Sequence, residues 1–293
     1  MEPTKFGVQF RNFPREYDGN ILDHMIEVAI KCEDLGYDSI WMIDHLEMRP
    51  PISYESQPIP ECWSTLSALA SATHKITIGS LVSCSLFRNP SYLSAICNTL
   101  SKISHERLII GIGSGWFDQE FHAYGIQYPS PGERVAATRN TLEILRKRIA
   151  RPSYPIWIGG SGEGATLKLV AKAADGCSLF GDPNAVKRKL KILESYCALI
   201  GRGFAEMTKS KHSNVVIGTT TSEVSSKLSK IIPDKSKWNN FFLNNLVGTP
   251  TQCLEQAEKY VESGANYLTL TFPDLFETNC LDIFSNEVIE QIH

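Results

Sequence analysis

Leu108–Trp116 reads LIIGIGSGW. The stretch starts as an unbroken apolar run, the pattern of a strand buried on both faces in a parallel sheet. It ends in glycines with a serine and a tryptophan. Glycines at a strand's C-terminal end let the backbone approach something flat or anionic. The same logic recurs at Pro155–Glu163, PIWIGGSGE, where a strand runs into Gly159-Gly160-Ser161-Gly162 and then a helical pattern. Two such strand ends point to one ligand held at one edge of a parallel sheet.

Strand and helix patterns alternate on both sides of these segments. Strands are predicted at 5–10, 39–43, 75–82, 108–113, 156–158, 176–180, 215–219 and 267–272. Helices are predicted at 20–35, 61–73, 90–104, 134–147, 162–173, 182–199, 251–263 and 281–292. Gly36 closes the first helix, Pro90 sits in the first turn of the third, and Asp182 is placed to cap the sixth. The region 202–245, with charged stretches and the aromatic-rich WNNFFLNN, reads as an extra helix or a loop over the fold. Eight strand–helix repeats predict an α/β fold of the (β/α)8 TIM-barrel type in a single domain, 1–293. An open doubly wound sheet fits only the first half. In barrels the active site lies at the C-terminal strand ends. Asp44-His45, Ser83-Cys84, Ser114-Gly115-Trp116 and Gly160–Glu163 all fall at such ends.

Composition narrows the function. The chain has 293 residues, 42% hydrophobic and 21% charged, enough for a full core. A net charge of −3 gives no sign of a nucleic-acid surface. No apolar run is long enough for a bilayer, and MEPTKFGVQF lacks a signal-peptide core. The eight cysteines are scattered without a CxxC pair, which suggests free thiols in a reducing cytoplasm and argues against zinc.

Few residues offer chemistry. His45, just past the second strand, could donate a hydrogen bond, move a proton or contact a ring, or could fix a loop through Asp44. Gly160–Glu163 opens a helix whose free N–H groups suit a phosphate, with Ser161 as a further donor. The same glycines also fit a bare tight turn, and the spacing is not the dinucleotide fingerprint. Glu120 follows Trp116 by one turn and reads as an anion cap or a proton-handling group. Met42, Cys84 and Trp116 read as lining and packing. No nucleophile elbow, metal cluster or P-loop is present. A cofactor that carries the chemistry explains such thin machinery.

The chain resembles the luciferase-like monooxygenase superfamily, and within it the coenzyme F420-dependent oxidoreductases. The resemblance rests on IWMIDH at 40–45, PECWSTLSALASATHKITIGSLVSC at 60–84 and FRNP at 87–90. It continues through RLIIGIGSGWFDQEFHAYG at 107–125, PIWIGGSGE at 155–163 and LVGTP at 246–250. It implies a barrel with flavin or deazaflavin at its C-terminal mouth, a small organic substrate and a homodimer. By resemblance, Asp44 and His45 lie at the ring end of the cofactor, with His45 an acid or electrostatic partner. Leu81 and Val82, followed by Ser83 and Cys84, match a bulge under the ring that often holds a non-proline cis peptide. Ser114 and Gly115 match the strand end beside the ring, and Gly160, Ser161, Gly162 and Glu163 match the phosphate loop. The resemblance implies hydride transfer with coenzyme F420. FMN with molecular oxygen is the alternative, and a non-catalytic flavin-binding barrel a third. One departure stands out. The stretch 148–154 is short, where relatives carry a longer segment that walls the substrate pocket.

Overall fold

A computed structural model describes residues 3–13, 20–48, 57–149, 154–160, 162–277 and 279–292. Eight parallel strands close into a ring: Lys5–Phe10, Ser39–Met42, Thr77–Cys84, Leu108–Gly113, Ile156–Gly159, Gly176–Leu179, Thr208–Ile217 and Tyr267–Thr271. Each pairs with its sequence neighbours, and the last pairs back onto the first, Lys5 opposite Tyr267. The predicted (β/α)8 barrel is the observed fold.

Alternation explains why these strands read as apolar. Outward residues such as Val8, Ile40, Ile78, Ile110, Ile156 and Leu268 pack under the helices in one continuous core. Inward residues fill the barrel. At its N-terminal end Trp41 packs against Trp157 at 4.8 Å with the rings tilted by 35°, and Tyr267 packs edge-on to Trp157 at 5.1 Å. Glycines make room for these rings: a Cβ at Gly79 would sit 2.5 Å from Trp41, and one at Gly176 2.8 Å from Trp157. Nearer the mouth the interior turns polar, with Gln9, Ser210, His212, Thr269 and Thr271 all buried. The Gln9 amide donates to the Leu81 carbonyl at 2.6 Å and accepts from the Thr271 hydroxyl at 3.0 Å.

That polar interior corrects one prediction. The seventh strand does not begin at Val215. It runs from Thr208 to Ile217. Its first half, TKSKHS, looks like loop because Ser210 and His212 face the polar interior. Lys211, between them, is buried on the outward face with its ammonium 4.6 Å from the centre of the Tyr260 ring, donating to the carbonyls of His212 and Asn244 and to the Ser213 hydroxyl. The uncertain region beyond it forms two helices, Thr221–Ile231 and Trp238–Asn244. They lead to a short strand, Leu246–Gly248, paired alongside the end of the seventh strand.

Smaller shifts follow from capping. The fourth long helix begins at Pro131, because Ser130 and Glu133 form a reciprocal capping box. Asp182 caps its helix through the Ala185 N–H, as its position predicts. The helix after the glycine-rich loop begins at Ala165 rather than Gly162. Most of the short stretch at 148–154 lies outside the described residues.

Candidate functional site

The second strand ends at Met42, and the chain then turns across the barrel mouth. Asp44 is buried there among donors. It accepts from the Ser83 hydroxyl at 2.7 Å and the Cys84 N–H at 3.1 Å. Arg88 grips both its oxygens, at 2.6 and 2.9 Å, and also donates to Glu61 at 2.6 Å. Burial pushes the Asp44 carboxyl up, and Arg88 pulls against it. Burial opposes the charge on Arg88, but its two carboxylate partners hold it above its ordinary range. The two parallel bonds are those of a guanidinium–carboxylate pair, and the pair ties the second strand end to the third. Ser83 serves this buckle and does not line the cavity; Asp44 and Cys84 do.

His45 comes next and points differently. Its Nδ1 lies 2.9 Å from the Glu120 carboxylate. Glu120 is fully buried and also accepts from the backbone N–H of Leu46 at 2.5 Å. A carboxylate that is ionised can only accept, so Nδ1 carries the proton and Nε2 is left for the cavity. Trp116 packs edge-on against the imidazole at 6.1 Å. Glu120 is thus drawn out of solvent and holds His45; it reaches the cavity edge without being open to it.

The third strand bulges between Ser80 and Ser83, and the Leu81–Val82 peptide is cis. The bulge matches the sequence expectation. It also revises the reading of the glycines. A Cβ at Gly113 would lie 2.5 Å from a Val82 methyl, and one at Gly159 2.6 Å from the other. These strand-end glycines give space to the Val82 side chain first. Through Val82 they shape the floor on which a ligand would lie.

Beyond them the loop turns at Gly160, whose φ of +148° favours glycine. Gly160 and Gly162 line the cavity along with Thr166 from the following helix. Ser161 lies outside the described residues. Glu163 turns away and pairs with Arg188 at 2.6 Å on a later helix, so it does not face the cavity. Ser114 and Gly115 line the cavity, and Ser114 accepts from Thr138 at 3.0 Å. Gly115 sits at φ +70°, and a Cβ there would lie 2.8 Å from Phe121 and 2.9 Å from Cys84.

All of this borders one cavity of about 560 Å³ at the C-terminal mouth, a size that suits a small organic cofactor. Sequence reasoning missed several of its walls: Gln9, Arg11, Arg134, Ser178, Phe180 and His212. A signal was present on the first strand, where Gly7, Gln9 and Arg11 alternate with apolar Phe6, Val8 and Phe10. Arg88 sat in a quoted motif with no role assigned.

The cavity fits a flat heteroaromatic ring with an anionic tail. The Val82 bulge gives a flat apolar floor, and the Gly160 turn leads to a helix start. Arg134 lines the same cavity and has a buried Nε with no acceptor among the described residues, a donor that a bound polar group would satisfy. Among the described residues no group of histidine, cysteine or carboxylate side chains could hold a metal ion. No helix there is long and apolar enough to cross a membrane.

Known proteins match this architecture. The family model for luciferase-like monooxygenases matches residues 4–242. An F420-dependent glucose-6-phosphate dehydrogenase from Intrasporangium calvum is 24% identical over 94% of each chain. A protein of the same name from Amycolatopsis mediterranei is 32% identical over 42% of this chain and 36% of its own length. In structure, an F420-dependent secondary alcohol dehydrogenase in complex with an F420–acetone adduct superposes with a TM-score of 0.81. It is 18% identical, and the superposition covers 98% of both chains.

Proposed function

The chain belongs to the luciferase-like monooxygenase family, and on that premise we propose that it is a coenzyme F420-dependent oxidoreductase. It moves a hydride between the deazaflavin and a small organic substrate. The observation that carries this reading is the His45–Glu120 pair at the lip of a cavity floored by the Val82 bulge. The names of the two F420-dependent relatives support the choice of cofactor.

When bound, the deazaflavin supplies or accepts the hydride. The chain does the rest. Val82, seated on the space left by Gly113 and Gly159, supports one face of the ring. Gly160, Ser161 and Gly162 hold the anionic tail, and Ser114 and Gly115 border the ring. Asp44 and Ser83 act from behind: with Arg88 they fix the segment that carries His45 and Cys84. Glu163, paired with Arg188, closes the loop from outside. Hydride delivery to a carbonyl carbon leaves a developing alkoxide, which needs one proton. Starting as the imidazolium, His45 gives that proton from Nε2 and is left as the Nδ1–H tautomer; in the reverse reaction that neutral tautomer takes the proton back on Nε2. Glu120 fixes the tautomer and favours the imidazolium when it forms.

The eight buried free thiols support a reducing, cytoplasmic setting. The family resemblance supports a homodimer, which light scattering checks.

The deciding experiment titrates the purified chain with coenzyme F420 and with FMN side by side. It follows fluorescence quenching and retention through a desalting column. Expected is tight binding of coenzyme F420 and turnover of carbonyl substrates without oxygen uptake. Preferential binding of FMN, with substrate-dependent oxygen consumption, overturns the reading in favour of a monooxygenase. Binding without turnover of any carbonyl or enone favours a storage barrel.

A further inference from the structure

We propose that Arg11 anchors an oxyanion, a carboxylate or a phosphate, carried by the organic substrate. The proposal rests on the hydride-transfer reading above and names the substrate class that reading leaves open. Arg11 follows the first strand and lines the cavity. Among the described residues it has no ion pair and no hydrogen bond. The two carboxylates that border the cavity are committed elsewhere, Asp44 to Arg88 and Glu120 to His45 and Leu46.

The neutral polar groups around the first, seventh and eighth strand ends also satisfy one another. Gln9 bridges the Leu81 carbonyl and the Thr271 hydroxyl. The His212 ring lies 3.4 Å from the Thr269 hydroxyl and 3.5 Å from that of Thr271. Among the described residues, Arg11 alone in this group lacks a partner. Burial lowers its pKa from the ordinary value, and no acid offsets that. Burial also lowers the His212 pKa well below its ordinary value, and the Arg11 charge pushes it the same way. A guanidinium stays charged regardless, and with no acid among the described residues beside it its fork is open to an anion from outside the chain. Its planar fork matches a carboxylate or phosphate with two parallel bonds.

Ring order says whose anion it is. The first, seventh and eighth strands lie across the barrel from the third, fourth and fifth, which carry the Val82 floor and the Gly160 loop. The cofactor tail is assigned to that loop. Arg11 stands on the other side, where a substrate would sit over the ring.

The test melts the full chain in sodium phosphate, sodium propionate and sodium chloride at equal ionic strength, beside Arg11→Gln and Arg11→Lys. Coenzyme F420 affinity is measured in parallel by fluorescence. The parent should gain about 2 °C at ten times the dissociation constant of the favoured oxyanion. The stronger of phosphate and propionate identifies the group. Arg11→Gln should lose the gain, keep its coenzyme F420 affinity within about twofold, and melt in chloride no lower than the parent, because an unpaired, partly buried charge has gone. Arg11→Lys should keep part of the gain. Equal gains in parent and Arg11→Gln, no gain in the parent, or a lower melting point in chloride overturns the proposal. So does a roughly tenfold loss of coenzyme F420 affinity, which would give Arg11 to the cofactor. Failure of the parent to bind coenzyme F420 sinks the function proposed above, while the oxyanion result stands or falls by itself.

Discussion

His45 Nδ1 lies 2.9 Å from the Glu120 Oε2, and the Glu120 side chain is 1% exposed. The two residues are 75 positions apart in sequence. One sits at the edge of the mouth and the other beneath it, so the buried acid sets the tautomer of the half-buried base. His45→Ala should lower kcat by about 10²–10⁴-fold, the usual contribution of a positioned acid–base group, with little change in cofactor affinity. Glu120→Gln should fall between parent and His45→Ala, because a neutral amide no longer favours the imidazolium. Stopped-flow hydride transfer beside a binding titration separates the two effects. A variant at His45 that binds and reacts like the parent returns the residue to loop-holding.

The Asp44–Arg88 pair predicts a stability effect. Arg88→Met leaves a buried carboxylate with only Ser83 and the Cys84 N–H as donors. Breaking one side of a buried pair costs about 3–5 kcal/mol. A urea midpoint unchanged from the parent rules out the buckle. Cofactor binding should weaken as well, since Cys84 and His45 lose their common tie.

The space left for Val82 predicts a compensating pair. Gly113→Ala places its Cβ 2.5 Å from a Val82 methyl and 3.7 Å from the Val82 Cβ. The single variant should push Val82 out of place and weaken cofactor binding by about tenfold or more. Adding Val82→Ala removes the methyl that clashes and should restore much of the loss in the double variant. Independent, additive effects would show that Gly113 does not serve Val82.

Lys211 predicts a pH dependence. Burial lowers its pKa from 10.5 to about 7, with nearby Lys189 pushing the same way. Between those values the unfolded chain binds the proton and the folded chain does not, so stability rises with pH there. The penalty is complete below the folded pKa and fades as pH rises. Relative to Lys211→Met, which lacks this titration, the parent should gain roughly 1 kcal/mol per pH unit above pH ~7. Paired denaturation curves at pH 7.0 and 8.5 read it. A constant difference between the two proteins means that Lys211 keeps its proton across that range.

A lone Gly160→Val tests the loop. The residue sits at φ +148°, and its Cβ would lie 3.3 Å from Thr166. Strain and bulk should together abolish cofactor binding in a chain that still folds. Unchanged affinity in the folded variant would remove the loop from the site.

The sequence by itself determined the barrel and the half of its mouth that the resemblance covers. Apolar strands such as LIIGIG at 108–113 and IWIG at 156–159 announce themselves because their outward residues must pack under helices. Asp44, His45, Ser114 and Gly160 could be placed because each follows such a strand directly. The tertiary structure decided the rest. The first half of Thr208–Ile217 hid as a loop because its inward residues, Ser210 and His212, face a polar barrel interior and Lys211 stands between them. Glu120 could be matched to His45 only once folding brought together positions 75 apart. Glu163 looked like a loop ligand until its partner Arg188 appeared on another helix. Arg11 stood in the first strand's alternation all along, yet its lack of a partner among the described residues depends on everything around it. Local pattern records how each segment is buried, whereas pairing and its absence depend on which distant segments the closed ring brings together.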